Sequence, residues 1–325
     1  MRALAGRAAL AIAGGRFERL ALGVLGYTVL VILWGAMVRI TGSGAGCGQH
    51  WPTCHGEIVP TAESLETLIE FGHRLTSGLC LIVIFAMWAA AVRAFEPGHQ
   101  ARLAGRLGAI FVILESLIGA ALVLLEYVAG NDSPWRAVWM AGHLANTFIL
   151  TAVLLLAVWA TRERPRLDVA SLGAWWPKLL ALCAGVLIVS MAGAVTALGD
   201  TLFPVDTATT TIWERIRGEQ NGVTHFLMQL RIVHPALSTV VGLLLITMPL
   251  SLAADLGSPR VTRAARRVAA LSLTQVGCGV ANIWLSAPGW MQVLHLLLAL
   301  VLWLSLVWLV WEAASARKGA AEVAA

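Results

Sequence analysis

Charge is what this chain has least of. Asp, Glu, Lys and Arg make up 13% of its 325 residues, and hydrophobic residues make up 58%. A soluble domain carries about 25% charge, so a water-facing globule is excluded. No dinucleotide-binding fingerprint is present either. The glycine-rich stretch 42–48 follows an apolar span and not a strand of a βαβ unit. Low-complexity segments and a hydrophilic linker between domains are also missing. Residues 1–19 are too polar for the core of a signal peptide, and the first apolar run is long enough to span, so no cleavable leader is expected.

What remains is apolar length. The mean hydropathy is +0.79, and a helix needs roughly 20 apolar residues to cross a bilayer. Eight runs qualify as expected spans: 20–39, 71–93, 107–127, 138–160, 178–198, 231–253, 268–286 and 290–311. The expectation is an all-α polytopic protein of the lipid bilayer.

The few charges are patterned. Of the 23 Lys and Arg, 17 fall on alternate links: Arg2, Arg7, Arg16 and Arg19; Arg93, Arg102 and Arg106; Arg162, Arg164, Arg166 and Lys178; Arg260, Arg263, Arg266 and Arg267; Arg317 and Lys318. The positive-inside rule puts these links and both termini in the cytoplasm. Links 40–70, 128–137, 199–230 and 287–289 then face outward. Charges that flank spans do not describe a nucleic-acid surface. The reading is a multi-pass protein of the cell membrane.

The spans repeat in sets of four. Gly35-Ala36-Met37-Val38 ends span 1, and Gly193-Ala194-Val195-Thr196 ends span 5. His73 opens span 2 and His234 opens span 6. Glu115 and Gly119 in span 3 match Gln275 and Gly279 in span 7. His143-Leu144 matches His295-Leu296. Offsets of 158, 161, 160 and 152 residues mark a duplication. Units of four spans keep the same orientation, so the repeat is parallel. The expected halves are 1–165 and 166–325, two four-helix bundles.

Four of the eight histidines, His73, His143, His234 and His295, sit in the first turns of the even spans, all near the outer face. One such histidine reads equally well as an interfacial residue bonded to a neighbour. Four at one depth, two per half, point to ligation. Ionisable groups in a bilayer are costly, imidazole is a common metal ligand, and two facing imidazoles suit haem iron. Zinc fits less well, because neither cysteine nor carboxylate recurs beside each pair. Each half is therefore expected to hold one haem, between His73 and His143 and between His234 and His295.

The halves differ in one place. Glu70-Phe71-Gly72-His73-Arg74 has no counterpart, because Arg231 stands where Glu70 would be matched. Glu70 reads either as an acid at a haem site or as a solvated first-turn acid favoured by the helix dipole. Cys47 and Cys54 lie seven apart in the outer loop before it. They read as a disulfide, as free thiols or as a redox pair. Arg39 and Arg74 flank the same site, as propionate partners or as snorkelling side chains. Cys80, Cys183 and Cys278 read as packing residues. Glu115 falls mid-membrane, where a carboxylate is protonated, hydrogen-bonded or part of a proton path.

Val38-Arg39-Ile40-Thr41-Gly42-Ser43-Gly44, the loop Cys47-x6-Cys54-His55-Gly56, and Glu70-x2-His73-Arg74 together closely resemble the haem A synthase family. The resemblance covers about 20–311. It implies oxidation of a methyl group of haem O to a formyl group, giving haem A for terminal oxidases. It implies a haem b cofactor with its iron on His234 and His295, and substrate haem on His73 and His143. It also implies a Cys47–Cys54 disulfide, a catalytic Glu70 and contact with the enzyme that supplies haem O. A homo-oligomer is left open. The rival from another class is a diheme b-type electron-transfer cytochrome.

Overall fold

A computed structural model describes residues 2–61, 64–162, 167–204 and 225–323, with the side chains of 2–13 and 317–323 aside. Of the basic residues counted above, Arg2, Arg7, Arg164, Arg166, Arg317 and Lys318 lie outside the described side chains, as does most of the outer link 199–230. The described residues hold eight long helices and no strand beyond a single bridge at Cys54 and Glu57. They are α1 (Arg2–Ile40), α2 (Leu65–Ala94), α3 (Gln100–Leu124), α4 (Pro134–Trp159), α5 (Trp175–Leu202), α6 (Val233–Leu256), α7 (Pro259–Trp284) and α8 (Gly289–Val323). A short turn of helix, Phe226–Gln229, leads into α6.

Each expected span falls on one of these helices, overrunning its ends by at most three residues. Seven are long and apolar enough to cross a membrane; α7 is the exception. It has the length, 26 residues, but opens on Arg260, Arg263, Arg266 and Arg267. The outer faces are apolar, as lipid requires. Leu30 is 64% exposed, Leu273 61% and Leu243 59%.

The chain divides into two compact units. One comprises Met1–Asn131 with Ala145–Glu163, and the other Asp132–Leu144 with Arg164–Ala325. In the first, α1 packs on α2 and α2 on α3. Small residues permit the close approach that membrane helices use. A methyl on Gly105 would sit 2.8 Å from Trp88. In the second unit α5 packs against both α6 and α8, while α7 bridges α6 and α8, so those four helices close on themselves.

The duplication is visible in how helices end. After α3, Leu125 N–H donates to Ala121 O (2.9 Å) and Tyr127 N–H to Leu122 O (2.8 Å). After α7, 160 residues on, Leu285 N–H donates to Ala281 O (2.9 Å) and Ala287 N–H to Asn282 O (2.8 Å). The left-handed residues Glu126 (φ 56°) and Ser286 (φ 63°) make both turns. This is the six-to-one bond pattern that closes a helix and satisfies its last carbonyls.

Candidate functional site

In the first unit the site is built on the start of α2. Ser64 caps the helix by accepting from Thr67 N–H at 3.1 Å. One turn in, Glu70 is buried, 3% exposed. Its Oε2 accepts Cys47 N–H at 2.8 Å, and its Oε1 accepts from Arg74 Nε (3.1 Å) and Nη2. Arg74 Nη1 donates in turn to the carbonyls of His50 and Thr53 (2.6 Å to the latter). One ion pair on α2 thus fastens both sides of the loop. Burying such a pair is tolerable because nearly every lone pair and N–H of the two groups has a partner.

The loop itself is stitched shut. Cys47 and Cys54 form a disulfide and both are fully buried. His55 N–H donates to Cys47 O at 3.1 Å, and Thr67 Oγ1 donates to Gly46 O at 2.7 Å. Gly46 has to be glycine, since a Cβ there would fall 2.4 Å from the backbone of Glu66. Gly42 (φ 70°) ends α1 in the left-handed turn that opens the loop.

His73 lies half-buried on α2, one residue before Arg74, with its ring against α1. A Cβ on Gly35 would meet His73 Cε1 at 3.0 Å. Arg39 is half-buried in the last turn of α1. Deeper in this unit, Glu115 accepts from Asn146 Nδ2 and Thr147 Oγ1, and Asn146 Nδ2 also donates to Phe111 O at 3.0 Å. Of the three options for a mid-membrane carboxylate, hydrogen bonding is the one observed. His143 is half-buried on α4 and falls in the second compact unit.

The second unit brings His234 and His295 together, with ring centres 6.3 Å apart and planes at 87°. A metal–nitrogen bond of about 2 Å plus about 1 Å to the ring centre puts two rings flanking one metal about 6 Å apart. His234 Nδ1 lies 3.0 Å from Val189 O. A carbonyl only accepts, so Nδ1 carries the proton and Nε2 keeps its lone pair, the usual arrangement of a ligating imidazole. Pro235, which follows, sits in the first turn of α6, where a missing N–H is harmless. Gln275 Nε2 is 3.2 Å from both His295 Nε2 and His295 O.

The residues fit a large, partly polar group held in this unit. Among the described residues, the buried atoms Thr196 Oγ1, Gln275 Oε1, Asn282 Oδ1 and His295 Nδ1 have no hydrogen-bond partner. Such atoms are rare unless a ligand or water answers them. The imidazoles pack directly on two glycines: a Cβ on Gly193 would fall 2.9 Å from His234 Cε1, and one on Gly279 3.3 Å from His295 Cε1. Gln275, Gly279 and Asn282 share one face of α7, and Val189, Gly193 and Thr196 share one face of α5.

Several of these residues lie outside the sequence reading. Gly35, Gly193 and Gly279 figure in the repeat, but with no role beside the histidines; their recurrence was the available signal. The Val189 carbonyl has no sequence signal at all, since every residue carries one. Arg231 is placed where the repeat puts it, paired with Asp200 (2.9 Å) and donating to Gly199 O and Phe203 O.

The family described as cytochrome oxidase assembly protein matches residues 18–66 and 62–307. A protein of Thermus thermophilus named protoheme IX farnesyltransferase is 44% identical over 301 residues, 93% of this chain and 49% of that protein. A haem A synthase of Alkalihalophilus pseudofirmus is 41% identical over 137 residues, 42% of this chain and 43% of that one. Another, of Halalkalibacterium halodurans, is 40% identical over 98 residues, 30% of this chain and 32% of that one. The chain spans about half the length, or less, of these curated relatives.

Proposed function

The chain belongs to the haem A synthase family of cytochrome oxidase assembly proteins, and from that premise we propose that it oxidises a methyl group of haem O to the formyl group of haem A. The observation that carries the proposal is one-sided. Both halves present a histidine seated on a glycine, at Gly35 and Gly193. Only the first half adds a buried carboxylate and a disulfide loop fastened to the same helix turn. A pair of electron-transfer sites has no need of that difference.

We assign substrate haem to His73 and to His143, the counterpart of His295 in the repeat. Haem b is assigned to His234 and His295, where it supplies a one-electron relay when bound. With water as the oxygen source, the methyl would give up two electrons and two protons to become an alcohol and the same again to become a hydrated aldehyde, which loses water; we assign the four electrons to an external one-electron acceptor reached through haem b. Glu70 is the catalytic candidate. Both of its oxygens accept hydrogen bonds, one of them from a guanidinium, which suits an anion that stabilises positive charge better than a base that takes a proton. The disulfide loop fixes that anion in place and screens it from water. Arg39 is assigned to a haem propionate. Arg74, with its donors on Glu70, His50 and Thr53, acts first as the clamp of the loop. We propose, on the charge pattern, that both termini lie in the cytoplasm and both haem sites toward the outer face.

The name of the Thermus relative favours a second reading, prenyl transfer. That chemistry needs a divalent cation held by carboxylates against a diphosphate. Among the described residues no three His, Cys, Asp or Glu converge. We place the transferase in the half of that relative outside the match, and so propose that the haem O-supplying enzyme works beside this chain.

Expression with a source of haem O, followed by mass spectrometry of the extracted pigments, tests the reading. Hydroxymethyl or formyl haem is the expected product. Haem O and haem b alone would favour the b-type cytochrome.

A further inference from the structure

Histidine seats recur in this protein, and one is tighter than the rest. A Cβ on Gly193 would lie 2.9 Å from Cε1 and 3.2 Å from Nδ1 of His234. The same ring donates Nδ1–H to Val189 O, one turn earlier on the same helix. In an α-helix a carbonyl points toward the residue four on. The Cβ of that residue leans back toward the N-terminus and covers the turn behind it. At position 193 there is no Cβ, so the Val189 carbonyl keeps a lone pair open to the neighbouring helix. Gly279 stands in the same relation to His295 Cε1, at a looser 3.3 Å. Gly185 lies on the same helix as Gly193 and also faces α6. Its Cβ would meet only Val241, at an ordinary 3.4 Å.

We propose that Gly193, and to a lesser degree Gly279, are positioning residues that seat the ligand histidines, with Gly193 uncovering the Val189 carbonyl so that His234 is locked as the Nδ1–H tautomer. The proposal rests on the assignment of haem b to His234 and His295. A ligating imidazole that donates its second N–H to a carbonyl is held in orientation and is made a stronger donor to the metal. A methyl at 193 pushes the ring off α5 and breaks that bond. The iron then sees a weaker, misaligned ligand. A weaker donor favours the reduced iron, so the midpoint potential rises.

The test uses the full chain purified with its haem, comparing Gly193→Ala, Gly279→Ala, Gly185→Ala and His234→Ala. Haem content, the low-spin electron paramagnetic resonance signal and the midpoint potential of the haem b are read in each. Gly193→Ala is expected to weaken haem retention by about 10- to 100-fold and to raise the potential of what remains. Gly279→Ala should shift the resonance signal and potential less, and Gly185→Ala not at all. Wild-type haem content and potential in Gly193→Ala would overturn the seat. If that variant does not accumulate, Gly279→Ala decides against Gly185→Ala, and identical spectra in those two would overturn it equally. Haem b that survives His234→Ala would overturn the ligand assignment, and the seat with it. Haem lost in His234→Ala but intact in Gly193→Ala removes the seat alone.

Discussion

At the start of α2 a buried glutamate, Glu70, faces an arginine one turn on and a loop N–H. At the start of α6 a buried arginine, Arg231, faces Asp200 and two carbonyls at the end of α5. The positions match in the repeat, and the charges are opposite. The difference follows from what each group holds. Glu70 can accept, so it fastens a loop through a backbone N–H, and Arg74 reaches the carbonyls beyond. Arg231 can only donate, so it closes the last turn of a helix, where free carbonyls collect. Both halves keep a histidine packed on a glycine and differ in the polar residue beside it. One half has a covered carboxylate and the other a firm helix end.

Substitutions in each half should separate their roles. The largest effect is expected from the ligands of the second half. His234→Ala or His295→Ala should abolish the haem b absorption spectrum while His73→Ala leaves it in place; the same loss from His73→Ala would erase the distinction between the halves. Next comes Glu70→Ala, which should keep haem b yet lower formyl haem on the order of 100-fold, the scale on which a fixed electrostatic partner acts. Product at the wild-type level would remove Glu70 from the chemistry. In the second half, Arg231→Ala removes its ion pair with Asp200 and its bonds to the carbonyls that end α5, and should destabilise that unit by about 3 kcal/mol, read as a lower thermal midpoint for haem b release. A midpoint equal to wild type would mean that the end of α5 is held by other contacts.

Smaller effects sharpen the picture. Reducing the Cys47–Cys54 disulfide, or replacing both cysteines with serine, should cost about 2.5 kcal/mol from the short loop it closes. Proteolysis should then begin within 42–57, and the haem b spectrum should stay unchanged. A shift in that spectrum would mean that the loop serves the second half as well. Thr147→Val removes one hydrogen bond to Glu115, worth about 1 kcal/mol. Its signature is a slight fall in thermal stability with haem b intact.

The helices were legible because lipid leaves no choice: every span must be apolar and long. The α7 span was legible in its apolar run 268–286, while its helix begins earlier, at Pro259, and takes in the four arginines of the preceding link. The duplication was legible in residue spacing and returned in the hydrogen bonds after α3 and α7. The four histidines could be named because ionisable side chains are scarce within the spans. The role of Arg74 as a clamp could not be read, because an arginine near a haem site looks the same whether it faces a propionate or a loop carbonyl. Glycine seats and the Val189 carbonyl were hidden for a related reason. Close approach and backbone acceptors are properties of the packed helices, and the sequence records only that a side chain is missing.

The proposed division is that both halves hold haem and only the first alters it. It is tested most directly by measuring haem b and formyl haem in the same purified sample of Glu70→Ala and of wild type. Equal haem b is expected in both, with formyl haem on the order of 100-fold lower in Glu70→Ala. Formyl haem in Glu70→Ala at the wild-type level, or haem b lost together with it, would contradict the division between the halves.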